Sequence, residues 1–542
     1  MNDLLNAAEG FDVVLTGGHV HDGSGAPPVL ADVAVKDGRI AEIRRTFPNS
    51  ASRTLPPNVI DVSGMAVCPG FIDIHRHSDL TLSMWPGADS ALLQGITTEV
   101  VGNCGLGPAP ALRRELAPSS IIFCPPDAQE HIHWNTYAEF LDHLDHLHLG
   151  VNVAALVPHG ALRVSVMGLA QRTASKEELD SMRGLLREGL EGGAHGFSTG
   201  LEYAPGNSSS EEEIVALAAE TARHGGLYAT HVRDRWSGIV ESVKEGIHTA
   251  ARAGCALQIS HLTARRPQAG LNHVLLDLVD EAARGGADIA FDAYPYDWGP
   301  GPVQEILPGW VLEGGPCATL ERLSDQKTRV KIRDEIMKSP IFGSEGVWAD
   351  VMISLASASP GAVGKTLELL SEERNADPVE IIFSLLQEAG DQFPAVAWVA
   401  RGIEKSSIYE TVRDPRCALG SDAATQGGPL ACYHWHPGAY GWAVRVLTEL
   451  VDAKILTFED AVRRITTLPA SRVGLKQRGA IMCGFWADLV VLNRDSLRDN
   501  ATYVETNRSP DGIVHVLVNG VVAVRNGRLT DERAGRLLRA NR

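Results

Sequence analysis

Short apolar runs that end in polar residues alternate along the middle of this chain with stretches of helical period, and glycines separate each helix from the next run. Residues 177–191 predict a helix that passes through Gly192-Gly193 into Gly196-Phe197-Ser198-Thr199-Gly200. Glu211–Arg223 predicts another, preceded by Asn207-Ser208-Ser209-Ser210, whose side chains suit an N-cap. It leads through Gly225-Gly226 into Leu227-Tyr228-Ala229-Thr230, which ends at His231. Residues 239–253, then Gly254, precede Ala256-Leu257-Gln258-Ile259-Ser260, which ends at His261. Residues 274–284, then Gly285-Gly286, precede Asp288-Ile289-Ala290-Phe291-Asp292. Helix, glycine turn and strand in repetition predict parallel βα units. Ligand-type residues at the strand C-termini point to an α/β fold of the (β/α)₈ TIM-barrel type, whose chemistry sits on that face. An open doubly wound sheet is the structural alternative, but no GxGxxG follows the first strand.

The two ends read differently. Asp32–Ile43 alternates around Asp37-Gly38, a hairpin signal, and 487–492 and 514–522 are again short apolar runs with glycine turns. We expect the termini, residues 1–66 and 475–542, to meet in one small β-sandwich beside a barrel over 67–474. Between Trp298 and Arg416 the alternation loosens into proline- and glycine-punctuated pieces, so a lid-like insertion is expected around 300–415. That stretch holds no histidine, and no metal ligand or catalytic group is placed in it.

A chain of 542 residues with 44% hydrophobic and 21% charged residues can bury a large core. Its net charge of −18 carries no basic cluster, which argues against nucleic acid and leaves a small-molecule substrate as the expected partner. No apolar run is long enough to span a membrane, and Met1-Asn2-Asp3-Leu4-Leu5-Asn6 lacks a secretory pattern. Eight scattered cysteines suit a reduced, cytoplasmic setting rather than a disulfide framework. A homo-oligomer is left open.

The chemistry is concentrated at the strand ends. Pro69-Gly70-Phe71-Ile72-Asp73-Ile74 delivers His75 and His77, two residues apart and therefore on one face of an extended strand. A second apolar run ends in Gly102-Asn103-Cys104-Gly105, where a thiol beside two imidazoles becomes a soft metal ligand. His231 and His261 close successive strands, and Asp422 follows Cys417-Ala418-Leu419-Gly420-Ser421 at another strand end, where it suits a metal-adjacent general base. The histidine-rich stretch Asp142–His148 has leucines near helical spacing and reads as a helix with a solvated face.

Taken together, these residues resemble the amidohydrolase superfamily and, within it, the N-acyl-D-amino-acid deacylase (D-aminoacylase) group. The resemblance rests on Pro69–His77, Gln94-Gly95-Ile96-Thr97-Thr98, Val101–Gly105, His159-Gly160-Ala161-Leu162-Arg163 and Gly200–Gly206. It continues with Thr230–Arg233, Ser260-His261-Leu262, Tyr294-Pro295-Tyr296, Gly420-Ser421-Asp422 and Ala487–Val491. It implies a distorted (β/α)₈ barrel with a β-sandwich from both termini, and hydrolysis of a non-peptide C–N bond with Zn²⁺. It implies that Cys104, His231 and His261 hold one tight zinc while His75, His77 and Asp422 frame a weaker position. Asp422 would act as the catalytic base.

Substrate contacts are expected at Tyr203, Arg233, Thr263, Tyr294 and Gly438. Three departures from the group fall where substrate is read: Thr263 replaces a lysine, the run after Tyr296 is Asp297-Trp298-Gly299-Pro300 where a serine is usual, and Gly438 replaces an arginine. By resemblance those residues grip an α-carboxylate. Their loss predicts a different N-acyl or amide substrate, neutral or aromatic, unless Arg265, Arg266 or Arg233 takes over. A cyclic-amide hydrolase of the hydantoinase or dihydroorotase type would use the same ligands. A catalytically inactive barrel kept for binding would be expected to lack them.

Overall fold

The computed structural model describes residues 8–46, 55–338 and 346–540. The start Met1–Asn6 lies outside these residues. The central domain is an eight-stranded parallel sheet in which neighbours in space are neighbours in sequence. Its strands are Phe71–Asp73, Ile96–Val101, Asn152–Pro158, Gly196–Gly200, Leu227–His231, Ala256–Ile259, Ile289–Ala293 and Cys417–Leu419. The first and last meet just beyond their ends, where Arg76 bridges Ala423 in parallel. There the Asp422 N–H donates to the His75 carbonyl (3.0 Å) and the His77 N–H to the Ala423 carbonyl (2.9 Å). The sheet thus closes into a barrel, and its seam lies between candidate ligands.

Every residue of most of these strands is buried, as expected where one face fills the barrel and the other meets helices. Ile74, Val100, Ala154, Leu156, Ala229 and Ala418 form the inner cluster. The helices that alternate with the strands start and stop as their sequences dictate. Ser210 accepts the Glu213 N–H at 3.3 Å at the head of Glu211–Arg223, and Gly254, at φ +63°, ends Ile239–Ala253.

A nine-stranded sheet combines both termini. Val13–Val20 pairs with Val29–Lys36 on one side and with Ala66–Pro69 on the other, and Ala66–Pro69 pairs with the C-terminal strand Leu489–Leu492. Period two sorts the side chains. Leu489, Val491 and Leu517 join Leu15, Val33 and Val35 in the interior of the sandwich, while Val490, Leu492, Val516 and Val518 face the barrel core.

The segment between the seventh and eighth barrel strands carries its own antiparallel sheet, with Ala397–Arg401 between Trp298–Pro302 and Val351–Leu355. Its helices pack Val311, Leu323, Ile332, Ile382, Phe383 and Leu386 into a separate apolar core. Pro300 and Pro302, read from sequence as breaks, lie in an edge strand, where a missing N–H is tolerated. Among the described residues, no helix is long and apolar enough to cross a membrane.

Candidate metal centre and its pocket

Two groups of buried donors meet at the C-terminal rim of the barrel: His75 with Cys104 and His261, and His75 with His77 and Asp422. His75 Nε2 lies 3.1 Å from Cys104 Sγ and 3.6 Å from Asp422 Oδ1. Cys104 Sγ is 3.4 Å from His261 Nε2, and His77 Nε2 donates to Asp422 Oδ1 at 3.1 Å. His231 stands beside His261, their rings perpendicular with centroids 4.6 Å apart, and its Nε2 donates to Glu202 Oε2 at 2.8 Å. All six residues expected from sequence therefore converge on one place. The contacts group His75 with Cys104 and His261, and they turn His231 toward Glu202.

The backbone at these positions is unusual. Cys104, His261 and Asp422 have φ of +55°, +38° and +51°, a left-handed region that side chains other than glycine rarely adopt. The chain leaves each strand through this turn, which swings the side chain inward over the barrel mouth. Such strain persists only where surrounding contacts fix it, and it clusters at functional sites. Near Cys104 the packing is close: a Cβ at Gly102 would lie 1.9 Å from the Leu156 carbonyl oxygen, so only glycine fits.

The charges suit a cation. Burial opposes ionisation of the Cys104 thiol, but cationic His75 and hydrogen bonds from His231, His75 and His77 hold it well below the usual thiol range. Burial also opposes charge on His75, yet the Cys104 thiolate and Asp292 raise it. Asp422 is held below the ordinary carboxylate range, against its burial, by His77 and His75. His261, in contrast, is kept neutral by burial and by Arg235, His231 and His75, which leaves a lone pair for coordination. Among the described residues, the buried nitrogens His77 Nδ1 and His261 Nδ1 have no hydrogen-bond partner. A thiolate, a carboxylate and several imidazoles packed this closely fit a divalent metal of the zinc type.

Residues outside the expected set orient it. Asp292 Oδ1 accepts from His75 Nδ1 at 3.0 Å and from the His261 N–H at 2.9 Å, which fixes the His75 ring with Nε2 toward the thiol. Asp292 sits one residue inside the end of the seventh strand, level in the sheet with His231. Strand-end position was the signal that could have found it.

A cavity of about 430 Å³ opens from the donor set. Tyr203 lines it and donates to the Cys104 carbonyl at 2.6 Å. The other expected substrate residues lie off its wall. Arg233 is committed to Glu245 at 2.8 Å, and Thr263 and Tyr294 are buried beside the site. Gly438 is buried beneath His436, its carbonyl accepting from Arg76 at 3.4 Å. Arg266 pairs with Asp350 at 3.0 Å. The cavity instead receives Arg265, stacked over Trp236 at 5.0 Å, and Arg235, which is 2% exposed. Arg235 donates to the His261 carbonyl at 3.1 Å, and neither guanidinium forms a salt bridge among the described residues. Arg235 and Glu305 on the cavity wall are not visible in the sequence pattern, because their loops follow no period, whereas Glu202 falls within the Gly200–Gly206 motif.

The histidine-rich stretch Asp142–His148 takes no part in either donor group. The helix Tyr137–Asp145 buries Tyr137, Phe140, Leu141 and Leu144, as the leucine spacing indicates.

Comparison with known proteins agrees with this arrangement. Residues 58–524 match the model of the amidohydrolase family. The N-acyl-D-glutamate deacylase of Alcaligenes xylosoxydans xylosoxydans is 32% identical over 98% of this chain and 97% of its own length. The D-aminoacylase of the same organism is 31% identical over 97% of each. The crystal structure of N-acyl-D-glutamate deacylase from Bordetella bronchiseptica, complexed with zinc and a phosphonate inhibitor, superposes with a TM-score of 0.80 at 31% identity. It covers 98% of this chain and 100% of that one. L-hydantoinase from Arthrobacter aurescens, at 16% identity and a TM-score of 0.56, shares the fold. The chain belongs to the amidohydrolase family.

Proposed function

We propose that this chain is a zinc-dependent deacylase that hydrolyses the amide bond of N-acyl-D-amino acids. The observation that carries the reading is the juxtaposition, on one cavity, of the buried thiolate–imidazole–carboxylate set with two guanidiniums that form no salt bridge among the described residues. Relatives aligned over nearly the whole chain are deacylases of N-acyl-D-glutamate and N-acyl-D-aspartate, and a D-aminoacylase. Arg265 and Arg235 supply positive charge that Thr263 and Gly438 lack, so an α-carboxylate can still be held, from a different wall of the site.

Cys104, His231 and His261 would hold the tight zinc, and His75, His77 and Asp422 a weaker neighbouring position. His75 Nε2 lies between the two positions, 3.1 Å from Cys104 Sγ and 3.6 Å from Asp422 Oδ1, and its one lone pair serves one ion, which favours a single tightly held metal. When bound, zinc supplies Lewis acidity that polarises the acyl carbonyl and activates water near neutral pH. Asp422, ionised and aimed by His77, takes the proton of the attacking water on a carboxylate oxygen and returns it to the leaving nitrogen. Asp292 and Glu202 hold the rings of His75 and His231. The scattered, unpaired cysteines and the scale of the cavity fit a cytoplasmic enzyme of small-molecule metabolism.

The test is an assay of zinc-loaded protein with N-acetyl-D- and N-acetyl-L-amino acids beside a hydantoin. Release of free amino acid from the D series supports the proposal. Ring opening without N-deacylation overturns it in favour of a cyclic-amide hydrolase.

A further inference from the structure

The inserted segment contributes a carboxyl to the cavity for which the deacylase chemistry so far has no use. Glu305 lies in the single turn Val303–Ile306 that follows the edge strand Trp298–Pro302. Gly301 makes room for it: a Cβ at 301 would lie 2.9 Å from Glu305 Oε2 and 2.7 Å from Trp398 Nε1. Among the described residues, no hydrogen bond or salt bridge reaches the Glu305 carboxyl. The nearby acid Glu202, on the same cavity, is already engaged by His231 at 2.8 Å and by the Arg235 N–H at 3.3 Å. Burial and the charge of Glu202 raise Glu305 well above the ordinary glutamic-acid range.

The cavity thus has two unlike walls. Arg235 and Arg265 offer positive charge without a salt-bridged acid, and Glu305 offers a carboxyl without a donor. Burial holds the Glu305 carboxyl neutral and a ligand ammonium beside it would ionise it, so a ligand that completes both the guanidiniums and this carboxyl is favoured. An aliphatic N-acyl amino acid would complete only the guanidiniums.

We infer that Glu305 determines specificity and that, given the deacylase reading above, the preferred substrate carries an ammonium group or another N–H donor in addition to its α-carboxylate. Two structures have that chemistry. One is an N-acyl amino acid with a basic side chain, and the other is an aminoacyl amino acid whose acyl part bears a free amine.

The experiment compares zinc-loaded wild type and Glu305→Gln on N-acetyl-D-leucine, N-acetyl-D-lysine and glycyl-D-leucine. Wild type is expected to favour one of the amine-bearing compounds in kcat/KM, and which one identifies the source of the donor. Glu305→Gln is expected to lower the ratio of amine-bearing to neutral substrate by about ten- to hundredfold, the range of a charge-assisted hydrogen bond. No preference in wild type, or an equal loss on all three compounds, overturns the inference. Binding of phosphonate analogues of the same three compounds, measured by calorimetry, decides it independently of turnover. If none is hydrolysed but the amine-bearing analogue binds more tightly in a Glu305-dependent way, the deacylase reading fails and the recognition stands. If the three bind alike, the recognition fails whatever the turnover.

Discussion

Arg76 Nη1 donates to Ser421 Oγ at 2.8 Å, tying the residue between His75 and His77 to the residue before Asp422. The same guanidinium pairs with Asp73 at 3.1 Å and Glu99 at 3.3 Å and donates to Thr425 Oγ1 at 3.0 Å. One fully buried cation thus fixes both sides of the barrel seam, and with them the distance from the histidine pair to Asp422. Replacing it leaves two buried acids without a counter-charge. Arg76→Met should therefore cost about 3–5 kcal/mol of stability, measured by urea denaturation of the zinc-loaded protein. Arg76→Lys should recover part of this, since an ammonium cannot span Ser421 and Thr425 as a planar fork does. Wild-type stability in both variants would show that the clamp is dispensable.

Asp422→Asn separates proton transfer from folding. Asparagine tolerates the left-handed backbone at φ +51°, so the turn should persist, while the amide cannot accept the proton of the attacking water. We expect kcat to fall by about 10²–10⁴-fold with the zinc at the sulfur-containing donor set retained in metal analysis. Undiminished turnover removes Asp422 from the mechanism.

How much of this was legible in the sequence follows from where periodicity operates. The barrel was readable because each strand end repeats the same grammar, and His231 and His261 fall at or just past the ends of successive strands. The sandwich was readable because period two in 487–492 places Leu489 and Val491 on one side and Val490 and Leu492 on the other. The inserted sheet was not, since Pro300-Gly301-Pro302 resembles a break and becomes a strand only by lying at an edge. Arg235 and Glu305 escaped notice because a loop residue enters a pocket through tertiary placement, which no local pattern encodes. His159 and Arg163, quoted as a motif, turn out to bind Glu213 in the interior and line no part of the cavity.

Cys104 carries both the thiolate and a left-handed backbone that glycine would adopt at no steric cost. Cys104→Gly should lose tight zinc yet, compared as metal-free proteins, unfold within about 1–2 kcal/mol of wild type, the scale of the relieved strain. Chelator competition and thermal unfolding read the two effects separately. A variant that retains zinc with wild-type affinity would remove the sulfur from the ligand set.

Arg265 rests on Trp236 and forms no salt bridge among the described residues, so its removal should affect substrate more than fold. Arg265→Leu is expected to lower kcat/KM for N-acyl-D-amino acids by about ten- to hundredfold, chiefly through KM, as one charge-assisted bond is lost. The matching N-acyl-D-amino acid amide, which has no carboxylate, should be affected much less. Equal losses on acid and amide would place the carboxylate elsewhere.

The buried Glu213 makes a prediction about acid stability. Burial opposes its charge, but the hydrogen bond from His159 at 2.8 Å and the paired contacts of Arg163 at 2.7 Å hold its carboxyl down to about 2. A carboxyl whose folded-state value lies below its unfolded one of 4.5 stabilises the protein fully above that value, and the contribution disappears as pH falls toward 2. The gap is worth about 3 kcal/mol. Wild type should therefore exceed Glu213→Gln in urea stability by a constant margin from pH 7 to 5, and the margin should narrow between pH 4.5 and 2. A margin that does not change with pH would mean that Glu213 contributes shape and hydrogen bonding but no ionised charge.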